Sequence, residues 1–159
     1  MHYSVVKMNE NYAREVIKWR YTGVHEVYSF EDNEETFNEL VNLDYYVVIN
    51  SNNELEGFFC MGKAAIVPYG KRFGVYDDRS YLDIGIGLNP ENVGKRKGYP
   101  FFMYCINYIK KEFKINRFRL TVYDFNKSAI QVYHRSGFQI VNFFMGTTGN
   151  YFLIMTLID

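Results

Sequence analysis

Apolar residues recur with two different periods along the chain, and the changes of period mark the secondary structure. Period-two or continuous runs rich in β-branched and aromatic residues predict strands at residues 3–8, 45–49, 55–67, 81–88, 117–125, 139–145 and 151–157. Helical spacing of apolar residues predicts helices at residues 10–21, 32–43, 98–114 and 127–136. Elements in this order are typical of a mixed α/β fold around a single sheet.

Asparagine and glycine residues indicate where two of these helices begin and end. Asn9 and Asn126 directly precede helical patterns, and asparagine side chains accept hydrogen bonds from the first helical turn. Gly137 follows the last predicted helix at a position where a left-handed residue commonly ends one.

The strand at residues 81–88 carries an unusual pattern. Leu82, Ile84, Ile86 and Leu88 share one face, and the other face holds Asp83, Gly85 and Gly87. Glycine weakens a strand and often marks a close approach of a ligand or another backbone. Two interpretations remain open here: a ligand site, or a strand packed tightly under a helix.

The loop that follows this strand combines glycine with three cations. Residues 91–97 are polar, contain Gly94 and end in Lys95, Arg96 and Lys97, just before the helix at residues 98–114. A helix N-terminus presents free N–H groups and the positive end of the helix dipole, so it can bind an anion. The spacing fits neither a nucleoside-triphosphate loop nor a dinucleotide fingerprint. The alternative is that the three cations are only solvated.

Composition narrows the class of protein. The 159 residues suit one domain, residues 1–159, and 48% hydrophobic content is enough for a core. Eighteen basic and 18 acidic residues give a net charge of zero, which argues against nucleic acid as a partner. Aromatic residues reach 19%. This fraction reflects compositional drift or, for a few of the rings, a lined pocket.

Cysteine content and the N-terminus predict the cellular environment. Cys60 and Cys105 form neither a disulfide framework nor a zinc motif, and we expect no metal. Cys105 lies on an apolar helical stripe, which predicts a buried thiol. With neither a signal-peptide pattern nor a run of 18 apolar residues in this sequence, we expect a soluble, cytoplasmic protein without a membrane partner.

Two segments resemble signatures of the GNAT acetyltransferase superfamily. Residues 126–138 are similar to Asn-x-x-Ala/Ser-x-x-x-Tyr-x-x-x-Gly-Phe at every key position, namely Asn126, Ala129, Tyr133, Gly137 and Phe138. Residues 88–98 resemble the acyl-CoA loop, Arg/Gln-x-x-Gly-x-Gly/Ala. In that loop Gly98 matches, whereas Val93 and Arg96 replace the usual first and fourth residues. Neither replacement removes a backbone N–H.

The resemblance implies a fold and a donor site. It implies a single mixed, mostly antiparallel sheet of about seven strands flanked by about four helices. The backbone of Ile86, Gly87 and Leu88 would bind the pantetheine arm of acetyl-CoA like an added strand. The N–H groups of Gly94, Lys95, Arg96, Lys97, Gly98 and Tyr99 would hold the pyrophosphate, and Asn126 would contact the arm where the two central strands separate.

The resemblance also implies a reaction, the direct attack of an amine on the thioester in a ternary complex. Tyr133 would protonate the departing thiolate; otherwise it is one more buried aromatic residue. Asp83 would remove the amine proton, or it is a hydrogen-bonded and inert residue at a strand entrance. His25 and His134 are rival titrating groups.

The acceptor is less well specified. By resemblance, residues 19–28 line its pocket, where aromatic rings and Glu26 would suit a cationic amine. The predicted function is an acetyl-CoA-dependent N-acetyltransferase, monomeric or homodimeric, that acts on a small-molecule amine or on a protein N-terminus or lysine. The alternatives are a degenerate, non-catalytic acyl-CoA-binding module and an aromatic-rich protein-interaction domain.

Overall fold

A computed structural model describes residues 2–159 and contains one seven-stranded sheet. The strands are β1 (Ser4–Lys7), β2 (Tyr45–Ile49), β3 (Leu55–Met61), β4 (Leu82–Leu88), β5 (Arg117–Tyr123), β6 (Gln139–Met145) and β7 (Tyr151–Ile158). Their spatial order is β1-β2-β3-β4-β5-β7-β6. The predicted single mixed sheet is confirmed.

Four α-helices accompany the sheet: α1 (Glu10–Val16), α2 (Glu34–Asn42), α3 (Gly98–Phe113) and α4 (Lys127–Arg135). Short 3₁₀ segments lie at Gly23–Tyr28, Gly62–Ala65, Pro68–Phe73 and Pro90–Asn92. No helix within residues 2–159 is long and apolar enough to cross a membrane.

Alternation along the strands gives the sheet two apolar faces. Val48, Phe59 and Ile84 belong to the face that α3 and α4 cover, through Phe101, Phe102 and the partly buried Ala129 and Ile130. Their neighbours Val47, Phe58 and Cys60 face the opposite side, which α1 and α2 cover through Val16 and Leu40. The core therefore lies on both sides of the sheet.

One strand pair differs from the rest. All neighbouring pairs are antiparallel except β4 and β5, which run parallel and pair only at Leu82–Phe118 and Asp83–Arg119. Beyond Asp83 the two central strands separate. The separation that the resemblance implied is therefore present, and it opens toward the end of β4 at Leu88.

Local signals predicted most element ends to within two residues, and the two larger errors fall at one strand and one helix. Asn9 accepts a hydrogen bond from Tyr12 N at 3.0 Å and Asn126 accepts one from Ala129 N at 3.3 Å, so both predicted caps are confirmed. Gly137 has a φ of +100°, also as predicted. The strand predicted at residues 55–67 ends at Met61, where Gly62 at a φ of +66° begins a 3₁₀ turn. The helix predicted at residues 10–21 is capped at Ile17.

The glycines of β4 are explained by protein packing. A Cβ on Gly85 would lie 2.8 Å from the Cys60 sulfur, and a Cβ on Gly87 would overlap the Phe58 ring. Both neighbours are side chains of the adjacent strand β3. The interpretation that a ligand requires these glycines is therefore corrected: the side chains of β3 already fill the space.

Candidate active site

The separation of β4 from β5 leaves backbone groups of β4 without a strand partner. The Asn89 amide donates to the Glu56 carbonyl on β3 at 2.8 Å. Successive residues of a strand turn their hydrogen-bonding groups to alternate sides, so those of Ile86 and Leu88 face the opening. Gly87 turns its groups toward β3, where it pairs with Phe58. Two of the three residues predicted to bind the arm therefore face the opening.

The loop before α3 presents a set of free amides. Within residues 2–159 the N–H groups of Gly94, Arg96, Lys97, Gly98 and Tyr99 make no hydrogen bond, whereas Lys95 N lies 3.4 Å from the Asn92 carbonyl. Pro100 has no N–H, and Phe101 N already donates to Lys97 O at 3.0 Å. Free donors at the N-terminus of a 16-residue helix form a surface suited to an anion.

The three cations of this loop differ in their surroundings. Lys95 and Arg96 are exposed, and Arg96 adopts a left-handed φ of +58°. A glycine adopts this conformation without strain, which is consistent with the glycine that the resembled motif has there. Lys97 is half-buried, and its Nζ donates to Asn92 Oδ1 at 3.0 Å.

Asn126 is the centre of a hydrogen-bond network at the N-terminus of α4. Its Oδ1 caps the helix at Ala129 N and lies 3.3 Å from His25 Nε2, and its Nδ2 donates to the Tyr28 hydroxyl at 2.9 Å. Because the capping atom is an acceptor, Oδ1 accepts a hydrogen bond from His25 Nε2. A neutral His25 therefore carries its proton on Nε2 and leaves Nδ1 as a proton acceptor.

Tyr133 lies on α4 two turns after Asn126, on the same face of the helix. Its ring packs against Phe102 with centroids 4.9 Å apart, and within residues 2–159 its hydroxyl makes no hydrogen bond. No fully buried side-chain oxygen or nitrogen of these residues lacks a partner, so the Tyr133 hydroxyl retains contact with solvent. Burial and the nearby Tyr28 raise the pKa of Tyr133 above its usual value. The hydroxyl is therefore protonated and free to donate at neutral pH.

The segment after α1 crosses the opening. The Tyr21 hydroxyl donates to the Leu88 carbonyl at 2.7 Å, and burial raises the pKa of Tyr21. Together with His25 and Tyr28, this places part of the predicted acceptor region at the separated strands. Glu26, the predicted partner of a cationic amine, is exposed, and its side chain makes no hydrogen bond or salt bridge within the described chain.

Both carboxylate oxygens of Asp83 already accept hydrogen bonds. Its Oδ1 accepts a hydrogen bond from Arg119 Nε at 2.7 Å and its Oδ2 accepts one from Arg119 Nη2 at 2.8 Å. Arg119 is 4% exposed and also donates to the carbonyls of Asp78 and Tyr76. The pKa of Arg119 is raised, chiefly by its hydrogen bond to Asp83. These contacts favour the alternative in which Asp83 is a hydrogen-bonded and inert residue at the entrance of the strand.

His134 lies apart from this chemistry. Its Nδ1 is 3.2 Å from the Phe138 carbonyl at the C-terminal end of α4. In residues 2–159 no three His, Cys, Asp or Glu side chains are grouped closely enough to hold a metal ion.

Two contributors to the site were not among the predicted residues. Glu56 stands alone as a charged residue within the apolar run of β3, and that isolation was a usable signal. Arg119 lies between the apolar residues Phe118 and Leu120 of β5, which is a weaker signal because Arg117 precedes it in the same strand. Tyr21 belongs to the predicted region 19–28, but its hydrogen bond to β4 spans 67 residues and has no local sequence signal.

Comparison with known proteins bears on the fold. No family model matches the sequence, and no curated protein matches it. The structure of a GNAT-family acetyltransferase from Bacillus anthracis superposes with a TM-score of 0.68 over 99% of this chain and 95% of that one, at 16% identity. A chimera of the spermidine N-acetyltransferase SpeG from Vibrio cholerae gives a TM-score of 0.72, with 99% and 96% coverage and 16% identity. The chain has the fold of these acetyltransferases.

Proposed function

We propose that the protein is an N-acetyltransferase that moves an acetyl group from acetyl-CoA to a primary amine. The observation that carries the proposal is the opening between β4 and β5, flanked by the free amides of the loop before α3. The opening offers unpaired backbone groups of β4, so an extended arm can bind there like an added strand. The loop offers free N–H donors, so a diphosphate can bind there. The fold shared with known acetyltransferases agrees with this function.

Donor binding is assigned to backbone groups first. The N–H and C=O groups of Ile86 and Leu88 pair with the amides of the pantetheine arm. The amides of residues 94–99 hold the pyrophosphate, and Asn126 contacts the arm beside the opening. Binding at Leu88 requires either the second lone pair of its carbonyl or release of the Tyr21 hydroxyl.

Tyr133 is assigned to the leaving group. The amine attacks the thioester carbonyl, the carbon–sulfur bond breaks, and the hydroxyl of Tyr133 donates its proton to the departing sulfur. A raised pKa keeps this hydroxyl protonated until the step occurs. Because it makes no hydrogen bond within residues 2–159, the hydroxyl is available to the ligand.

His25 is assigned to the amine. An attacking amine must be neutral. Within residues 2–159 Nδ1 of His25 makes no hydrogen bond, and the bond from Nε2 to Asn126 holds the ring in place. Asp83 remains the rival, although Arg119 already binds both of its oxygens. The rings of Tyr21 and Tyr28 beside the opening suit a cationic amine before it loses its proton.

Two measurements test the proposal in order. Acetyl-CoA and CoA, but not ATP, are expected to raise the melting temperature, because a ligand that binds only the folded state stabilises it. Thiol release with a panel of amines then tests turnover. Binding without turnover of any amine favours the non-catalytic acyl-CoA module. If neither acetyl-CoA nor CoA raises the melting temperature, the proposal is contradicted and the protein-interaction alternative remains.

A further inference from the structure

A carboxylate is buried in β3 without a cationic partner. Glu56 is 3% exposed, and every residue of its strand is buried. Its Oε1 accepts a hydrogen bond from Asn50 Nδ2 at 3.0 Å and its Oε2 accepts one from Asn92 Nδ2 at 3.3 Å. Within residues 2–159 it forms no salt bridge. A buried carboxylate is costly unless it is hydrogen-bonded, and these two amides each supply one such bond.

Asn92 connects this carboxylate to the loop before α3. The Asn92 Nδ2 group donates to Glu56, and its Oδ1 accepts from Lys97 Nζ at 3.0 Å. A carboxylate can only accept, so Glu56 forces the Asn92 amide to turn its oxygen toward Lys97. Without Glu56 the amide is free to rotate and to present its NH₂ group to the ammonium, which is a repulsive contact.

The backbone around Glu56 fixes the same segment. The carbonyl of Glu56 accepts from Asn89 N at 2.8 Å, and the carbonyl of Leu55 accepts from Asn89 Nδ2 at 2.9 Å. The 3₁₀ segment Pro90–Asn92 is therefore attached to β3 at both ends. Of the three loop cations, Lys97 is the one whose side chain bonds Asn92 within residues 2–159, whereas Lys95 and Arg96 are exposed.

We propose that Glu56 is a positioning residue that acts through Asn92 to hold the ammonium group of Lys97 at the loop that carries the free amides. The inference rests on the proposed function, because the ligand it concerns is the diphosphate of acetyl-CoA. A lysine that is held in place before binding loses less side-chain entropy when it meets an anion. Lys97, rather than Lys95 or Arg96, is then the cation that contributes to affinity.

Calorimetry of acetyl-CoA binding to Glu56→Gln tests the role. Glutamine has one acceptor oxygen where glutamate has two, so it cannot accept from both Asn50 and Asn92. We expect acetyl-CoA to bind about threefold more weakly, with kcat at saturating acetyl-CoA unchanged. The matched control is Glu54→Gln, which removes the same charge from an exposed residue in the preceding turn. Its affinity is expected to equal that of the wild type.

A double-mutant cycle separates positioning from a merely structural role. In a Lys97→Met background Glu56→Gln has no ammonium left to position, so we expect it to cause no further loss of affinity. A structural role predicts the same loss in both backgrounds, and this result would overturn the proposal. If Glu56→Gln does not fold, Asn92→Ala replaces it in the cycle, with the same expected and contrary outcomes.

The affinity of the wild-type protein for acetyl-CoA distinguishes a failure of the proposed function from a failure of the role of Glu56. A wild-type protein that does not bind acetyl-CoA overturns the proposed function and this inference together. A wild-type protein that binds acetyl-CoA, combined with an additive cycle or with unchanged affinity in Glu56→Gln, overturns this inference alone.

Discussion

The carboxylate of Asp83 accepts two hydrogen bonds from the guanidinium of Arg119, at 2.7 and 2.8 Å, in the last residue pair before β4 and β5 separate. The pair closes the narrow end of the opening. Arg119 extends the contact to the carbonyls of Tyr76 and Asp78, so one guanidinium joins both strands to the segment that precedes β4.

Asp83→Asn is expected to act on stability rather than on proton transfer. The variant leaves a buried arginine without its charged partner, which costs about 3 kcal/mol. Chemical denaturation measures that loss. We expect any fall in turnover to be the same factor across the pH range, because no base is removed. A deficit that shrinks as pH rises would instead identify Asp83 as the base.

His25→Gln is expected to show the opposite pattern. Glutamine retains a donor for Asn126 Oδ1 but has no titrating nitrogen, so the network survives and the base is lost. Turnover at neutral pH should fall by about 10²-fold or more, and the deficit should shrink as pH rises and the amine deprotonates unaided. A pH–rate profile of the variant beside that of Asp83→Asn decides between the two groups. A His25→Gln profile parallel to the wild type contradicts the assignment.

Tyr133→Phe is expected to lower kcat by about 10²- to 10⁴-fold while acetyl-CoA affinity changes little. The hydroxyl makes no hydrogen bond within the described chain, and the ring contact with Phe102 is kept, so the variant should fold normally. Thiol release under conditions where chemistry limits the rate measures the effect. Full activity would falsify the role of Tyr133 as the acid.

The alkaline limb of the wild-type profile gives an independent check on Tyr133. Because its pKa is raised, the hydroxyl is protonated at and beyond the pH where an ordinary tyrosine ionises, roughly pH 10. We therefore expect no loss of activity from this group below that pH. If the wild-type activity falls with an apparent pKa near 8 and this fall is absent in Tyr133→Phe, the pKa of Tyr133 is not raised by burial.

Gly98→Val is expected to weaken acetyl-CoA binding more than Lys97→Ala. A Cβ on Gly98 would make an ordinary contact with Val132 on α4, at 3.6 Å, so the two further methyl groups of valine have to lie against α4 or over the free amides at the start of α3. Lys97→Ala removes one partly solvated cation, so we expect it to weaken acetyl-CoA binding by about fivefold. Calorimetry on both variants measures the order. Equal losses indicate that an electrostatic patch, and not the backbone, binds the diphosphate.

The two cysteines are expected to be unreactive toward an aromatic disulfide reagent in the folded protein and fully reactive after unfolding. Both are 5% exposed or less, and burial raises the pKa of Cys60 to about 12 and that of Cys105 also upward. A thiol stays protonated below its pKa, and only the thiolate is a good nucleophile. Two thiols titrating in the native state contradict this burial. The number of thiols that react in the native protein is also the background signal to subtract in the thiol-release assay.

The sequence by itself determined the features that depend on residues close together in the chain. Helix caps such as Asn9 and Asn126, the turn at Gly137 and the alternation of β4 are local, because a capping bond spans three residues and a strand repeats every two. The signature of residues 126–138 is local in the same sense, since α4 places Asn126 and Tyr133 at its two ends. Cys105 is buried as its helical stripe predicted.

Only the tertiary structure decided what each candidate group contacts. Asp83 meets Arg119 from 36 positions away, Glu56 reaches Asn92 across a similar distance, and His25 meets Asn126 from 101 positions away. Sequence periodicity shows which face of a strand a residue occupies, but not which distant side chain lies opposite it. The availability of a carboxylate, the tautomer of a histidine and the choice among three cations depend on those long-range partners, because each hydrogen bond removes or fixes a proton or a lone pair.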